Sequence, residues 1–119
     1  CFRMNMNEVA TAARYNIPII QVVVNNHVLG MVRQWQNLFY GQRYSATVLN
    51  DAVDFVKLAE SYGAKGIRVM RKEDIAAAFE QAKKETKIPT LIEFIIDPEE
   101  LVYPMVKPNG TLEDMIMDC

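Results

Sequence analysis

The first apolar pattern along the chain, Met6, Val9, Ala10 and Ala13, is spaced as one face of a helix, and Asn5 with Glu8 reads as a capping box at its start. This predicts a helix from about Asn5 to Tyr15, stopped by Asn16 and Pro18. The period then changes. Ile19 to Val24 is β-branched and apolar without alternation, which predicts a parallel strand covered on both faces at the centre of a sheet. After Asn25-Asn26-His27, Leu29 to Tyr40 returns to helical spacing, with Val28, Val32, Trp35 and Phe39 on one side and Met31 and Leu38 on another. So wide an apolar surface predicts a helix buried by more than its own sheet.

Residues 41–49 are polar and aperiodic, a connecting loop. Asn50 and Asp51 are expected to cap a third helix with Ala52, Phe55, Val56 and Ala59 inward and Gly63 as its stop. Gly66 to Arg71 reads as a strand. Lys72 to Glu85 reads as a helix carrying Ile75, Ala78, Phe79 and Ala82 inward, and Thr90 to Ile96 as another strand. Beyond Asp97 prolines punctuate a tail in which Leu112 to Met117 is a short amphipathic stretch. Strands alternating with helices argue for an α/β domain over residues 1–119, a parallel sheet covered by helices and built from right-handed crossovers.

Composition narrows the function. The chain has 119 residues, 50% hydrophobic, with 13 Lys+Arg against 15 Asp+Glu. That length supports a core without disulfides or a structural metal, and the absence of a basic excess argues against nucleic acid as a partner. Cys1 and Cys119, at opposite ends, fit neither a disulfide framework nor a zinc site, so a reducing cytoplasm is expected. The run from Ile17 to Val24 is far short of the roughly 20 residues that span a bilayer, and Arg3, Asn5, Asn7 and Glu8 interrupt any signal-like apolar region. A start at Cys1 and not Met is expected where something upstream has been removed.

In doubly wound sheets ligands sit beyond the carboxyl ends of strands, which directs attention to Val24–Met31. An Asn oxygen is a hard neutral donor suited to Mg²⁺, and paired Asn residues are also good turn formers; the residues alone leave both readings open. His27 is the only histidine, which excludes a His-pair metal site. Met31 and Trp35, four apart, either wall a pocket or belong to the core. Glu8, Glu93 and Asp97 show no pairing that marks a general acid and base, and no GxGxxG, P-loop or GxSxG motif is present. No catalytic residue is assigned.

Cys1-Phe2-Arg3-Met4-Asn5-Met6-Asn7-Glu8, Tyr15-Asn16-Ile17-Pro18 and Asn25-Asn26-His27-Val28-Leu29-Gly30-Met31-Val32-Arg33-Gln34-Trp35 closely resemble the C-terminal part of the acetolactate synthase (acetohydroxyacid synthase) catalytic subunit. Val102-Tyr103-Pro104-Met105-Val106 to Gly110 resembles that family's C-terminal segment. The resemblance implies an incomplete thiamine-diphosphate-binding fold: the family's motif opens with Gly-Asp-Gly, which would stand just before Cys1, and closes with Asn25-Asn26. It implies Mg²⁺ ligation by the Asn26 side chain and the Val28 carbonyl, and backbone at Cys1 and Phe2 near the diphosphate, where the start of the first helix offers N–H groups. By the same likeness Gly30 allows close approach to the cofactor, and Met31 and Val32 lie near its thiazolium end. Trp35 and Phe39 would shape the pocket for the second 2-oxo acid.

The family joins two pyruvates, or pyruvate and 2-oxobutyrate, with loss of CO₂, at the head of branched-chain amino-acid synthesis. The glutamate that activates the cofactor and the flavin (FAD) domain lie outside a segment of this kind. The resemblance therefore implies a piece that is inactive alone, taken from a homo-oligomeric enzyme that can carry a regulatory subunit, with self-association through apolar surface around Met31, Trp35 and Phe39. Two rivals stand beside it. One is another thiamine-diphosphate enzyme, a pyruvate oxidase or 2-oxo acid decarboxylase, against which Trp35 at its spacing from Met31 argues; the other is a non-catalytic α/β interaction or regulatory module.

Overall fold

A computed structural model describes residues 1–49 and 53–118. It divides into two compact units: one from the described residues of Cys1–Asn25 and Asp51–Ile96, the other from those of Asn26–Asn50 and Asp97–Cys119. The expected Asn50 and Asp51 cap, Ala52 and Cys119 lie outside the described residues.

The first unit is the sheet. After a 3-10 turn at Phe2–Met4 come α1 (Glu8–Arg14), β1 (Ile20–Asn25), α3 (Phe55–Ser61), β2 (Lys65–Val69), α4 (Ile75–Lys83) and β3 (Thr90–Ile95); α2 (Gly30–Phe39) belongs to the other unit. All three strands are parallel in the order β1-β3-β2, so the expected parallel α/β arrangement is present. The central position was expected of Ile19–Val24, and here the structure corrects the sequence reading. β3 is central and buried from Thr90 to Glu93, whereas β1 is an edge whose Ile20, Val22 and Val24 are exposed. Both strands are rich in branched apolar residues, and that composition alone does not tell an edge from a centre.

Alternate residues of β3 serve two cores. Leu91 packs with Val9, Val23, Phe55 and Ala59 on the face covered by α1 and α3, and Ile92 with Val69, Ala78 and Ala82 on the face covered by α4. Close helix packing explains Gly66 in β2, where a Cβ would stand 2.6 Å from Val56 Cγ1 and 2.9 Å from its carbonyl oxygen. Two local expectations change as well. Asn5 ends the 3-10 turn and makes no capping box with Glu8, so α1 begins at Glu8 behind Asn7. The cap of α3 is Asp54, whose Oδ1 accepts from the N–H groups of Val56 and Lys57, both at 3.1 Å. Gly63, at φ 83°, stops this helix as expected, with the Ala64 N–H returning to the Ala59 carbonyl at 2.9 Å.

The second unit holds α2 (Gly30–Phe39) and the tail, in which β4 (Met105–Val106) pairs antiparallel with β5 (Met115–Ile116). The stretch expected to be amphipathic, Leu112–Met117, is a 3-10 turn followed by β5. The apolar surface of α2 is not enclosed within its unit as its width suggested. Met31 and Val32 are about half exposed, and the one buried residue of the helix is Gln34.

Candidate functional site

The loop that opens the second unit is tightly built. Asn26 Oδ1 accepts the Val28 N–H at 3.2 Å, and His27 takes a left-handed conformation at φ 58°. Residues 47–49 back the loop through a bridge in which Leu29 donates to the Thr47 carbonyl at 2.8 Å and Leu49 to the His27 carbonyl at 2.9 Å. That bridge uses the carbonyl of His27 and the N–H of Leu29, leaving the Val28 carbonyl out of the ladder. A Cβ at position 30 would come within 2.8 Å of Asn26 Nδ2, so any larger residue than glycine there would displace the Asn26 amide. The structure thus brings Asn26, Val28 and Gly30 together.

Two neutral oxygens, the Asn26 amide and the Val28 carbonyl, two residues apart on such a loop, have the donor character that suits a hard cation such as Mg²⁺. Among the described residues there is no group of three or more His, Cys, Asp or Glu able to hold a metal. An ion here would need further ligands from a phosphate or water, as Mg²⁺ commonly takes.

One turn further, Met31, Val32, Trp35, Phe39 and Arg43 line an open groove of about 870 Å³. Trp35 and Phe39 meet edge to face, ring centres 5.4 Å apart, which fixes the aromatic wall. Behind it the helix is anchored through polar groups. Gln34, 2% exposed, accepts the Val102 N–H and donates to the Val102 carbonyl, both at 2.8 Å, and its Nε2 lies 2.9 Å from Met105 Sδ. Arg33 pairs with Glu99 and places its guanidinium 3.9 Å from the ring centre of Tyr44. Sequence reasoning missed Gln34, since a glutamine between apolar positions reads as a solvated residue; its signal is that it interrupts an otherwise broad apolar surface.

Cys1 and Phe2, the other residues expected near the cofactor, belong to the sheet unit. Cys1 precedes and Phe2 opens the 3-10 turn, and the first α-helix starts at Glu8 and not at about Asn5. The Phe2 ring packs edge to face on Phe55 at 5.5 Å, and Cys1 is exposed.

Glu93 is the second residue whose part the sequence did not reveal. It is 1% exposed on β3, directly between Val23 of β1 and Arg68 of β2. Its Oε1 accepts from Asn25 Nδ2 at 2.7 Å and its Oε2 from Arg68 Nε at 2.8 Å, while the far end of Arg68 reaches Asp54 Oδ1 at 2.6 Å. The hydrogen bond to Glu93, with its charge, holds the Arg68 guanidinium more firmly protonated than usual. The Lys57 N–H, and then Arg68, hold the Asp54 carboxyl below its ordinary value. These partners lie far apart in sequence, so no spacing announces them.

The comparisons agree with this architecture. Residues 1–94 match the family described as thiamine pyrophosphate enzyme, C-terminal TPP binding domain. The chain is 44% identical over 115 residues to a probable acetolactate synthase large subunit of Methanocaldococcus jannaschii, a match covering 97% of this chain and 19% of that one. It is 39% identical to the acetolactate synthase large subunit of Haemophilus influenzae, covering 97% and 20%. A solved structure, the thiamine diphosphate-dependent 4-hydroxybenzoylformate decarboxylase of Rhodococcus jostii RHA1, superimposes with a TM-score of 0.72 at 30% identity, covering 81% of this chain and 18% of that one. The chain thus spans about a fifth of the length of the curated relatives it matches. A parallel sheet of this build and a match over residues 1–94 carry one conclusion: the chain belongs to the thiamine pyrophosphate enzymes, within the C-terminal TPP binding domain of that family.

Proposed function

We propose that these residues serve an acetolactate synthase, a transferase that joins two 2-oxo acids with loss of CO₂ at the head of branched-chain amino-acid synthesis. The observation that carries the reading is the run from Asn26 to Phe39: a loop presenting two neutral oxygens continues into a helix that lines an open aromatic groove, within the volume range of small-molecule and cofactor sites. The two acetolactate synthase large subunits named above, one of them described as probable, support it.

In this reading the Asn26 side chain and the Val28 carbonyl hold Mg²⁺, and Gly30, Met31 and Val32 border thiamine diphosphate. The same reading puts the backbone of Cys1 and Phe2 at the diphosphate end. When bound, thiamine diphosphate supplies a nucleophilic carbon and a place for the electrons left by loss of CO₂. Trp35 and Phe39 receive the short apolar side chain of the second 2-oxo acid, pyruvate or 2-oxobutyrate, and exclude water beside it. FAD, a second copy of the subunit and a regulatory subunit belong to the whole enzyme, which would work in the cytoplasm. No helix among the described residues is long and apolar enough to cross a membrane.

The test is turnover of pyruvate by the complete expressed protein with thiamine diphosphate and Mg²⁺, with 2-oxobutyrate as competing acceptor. Acetolactate formation is expected, and Trp35→Leu should change the preference between the acceptors by about 10-fold, as a reshaped apolar wall commonly does. Decarboxylation to an aldehyde without carbon–carbon bond formation would instead place the protein with the 2-oxo acid decarboxylases.

A further inference from the structure

Two adjacent asparagines at a strand end invite the assumption that both serve the ligand. We propose that they divide the work: Asn25 is a positioning residue, held from the sheet side by the buried carboxylate of Glu93, which fixes the backbone leading into Asn26, and the Asn26 amide, whose Oδ1 also accepts the Val28 N–H, acts as the Mg²⁺ ligand. The inference rests on the metal assignment made above.

Three features of the sheet unit carry it. First, Val23 is the register partner of Glu93, so Asn25, two residues on, lies on the same face of the sheet and reaches that carboxylate diagonally, donating to Oε1 at 2.7 Å. Its backbone is held too, because the Ile96 N–H donates to its carbonyl at 3.0 Å. Second, Glu93 is itself fixed. Its other oxygen takes Arg68 Nε at 2.8 Å, and Arg68 is secured by Asp54, the residue that caps α3. Third, at 1% exposure an ionised carboxylate is costly without partners, and it would be an expensive choice for a position that needed only to fill space. Partners outside the ligand set tune metal affinity by fixing the ligands' orientation, and Glu93 would act one step further out, through the backbone that joins Asn25 to Asn26.

A reversal of the hydrogen bond supplies the test. Asn25→Ala removes the donor and leaves the strand end held by backbone alone. The double change Asn25→Asp with Glu93→Gln exchanges carboxylate and amide: the new amide at position 93 can still accept from Arg68 and now donates to the new carboxylate at position 25, with total charge unchanged. Mg²⁺ binding is measured by calorimetry on the complete expressed protein at saturating thiamine diphosphate, beside Asn26→Ala and a thermal melt of each variant. Asn25→Ala should weaken Mg²⁺ by about 10-fold, within the range for loss of an outer partner, and the reversed pair should regain most of that factor although both residues differ. Asn26→Ala should remove Mg²⁺-dependent binding.

If Asn25→Ala melts cooperatively and binds Mg²⁺ as the parent does, the positioning role is wrong. The same holds if the reversed pair binds no better than Asn25→Ala, or fails to fold. If Asn26→Ala binds Mg²⁺ normally, the metal assignment itself falls and the inference with it, an outcome separate from the other two.

Discussion

The two units of this chain are held by different means. The sheet unit rests on apolar burial: Leu91 and Ile92 point to opposite faces of one strand, and each anchors a cluster of side chains from helices and strands. In the second unit the buried residues include Val28, Gln34, Thr47 and Met105, and Gln34 and Thr47 are polar. Its α2 turns Met31 and Val32 towards solvent, while a glutamine, an Arg33–Glu99 pair and a guanidinium over Tyr44 fix the tail and loop. Apolar burial is forgiving of detail, whereas a bidentate amide contact holds only in one register. The difference suits a division between scaffold and site, because a groove that receives ligand must keep its apolar residues uncovered.

The largest effect separating the units is expected in the scaffold. Ile92→Ala removes a side chain with 0% exposure from the cluster of Val69, Ala78 and Ala82, and should cost about 4 kcal/mol in denaturant unfolding. A cost below about 1 kcal/mol, the scale of a mild core trim, would mean that this strand is not the centre of the fold. Next in size is Gln34→Leu, which keeps the volume but leaves the N–H and carbonyl of Val102 without their partner. About 2 kcal/mol is expected, confined to the second unit. Amide exchange should therefore quicken at Val102 and Met105 while Leu91 and Ile92 stay protected. Equal loosening of both units would show that they unfold as one and would erase the distinction.

The sheet unit was largely legible because it is periodic. Of the expected face Met6, Val9, Ala10 and Ala13, Val9 is buried and the other three are partly so, while Ala12, outside that face, is buried as well; Ala78 and Ala82 are buried where α4 needed them. What failed was rank within the sheet: β1 and β3 are alike in composition, and which is central depends on a pairing that only the folded chain states. In the second unit the groove residues Met31, Trp35 and Phe39 were identified through helical spacing and family likeness, but the reason they stay uncovered was not. That reason lies in Gln34, and the hold on Asn25 lies in Glu93, each meeting its partner 68 residues away in sequence. Polar contacts over such separations leave no period to read.

The smallest expected effect compares one acidic residue in each unit. Asp54 caps α3 in the sheet unit, and Asp114 accepts the Thr111 N–H at 3.0 Å in the capping box of the tail's 3-10 turn. Both carboxyls are held below their ordinary value, Asp54 first by the Lys57 N–H and Asp114 first by the Thr111 N–H. A group whose pKa is lower folded than unfolded contributes stability that is complete above its unfolded value and is lost as pH falls through the folded one. Both contributions are therefore intact at neutral pH and fade below about 3.8, the ordinary value of the carboxyl. Their reach should differ. Protonating Asp54 weakens the start of α3 and withdraws a partner from Arg68, so exchange should quicken at Val56 and Lys57 and the change should extend to Glu93. Protonating Asp114 should be felt at Thr111 and at Lys107, which it pairs with at 3.3 Å, and no further. Asp54→Asn, which still caps but does not titrate, should remove the acid step at Val56 and Lys57 and leave the one at Thr111 in place. An acid step of equal extent in both units would mean that the chain of contacts from Asp54 through Arg68 to Glu93 does not transmit what happens at the helix end.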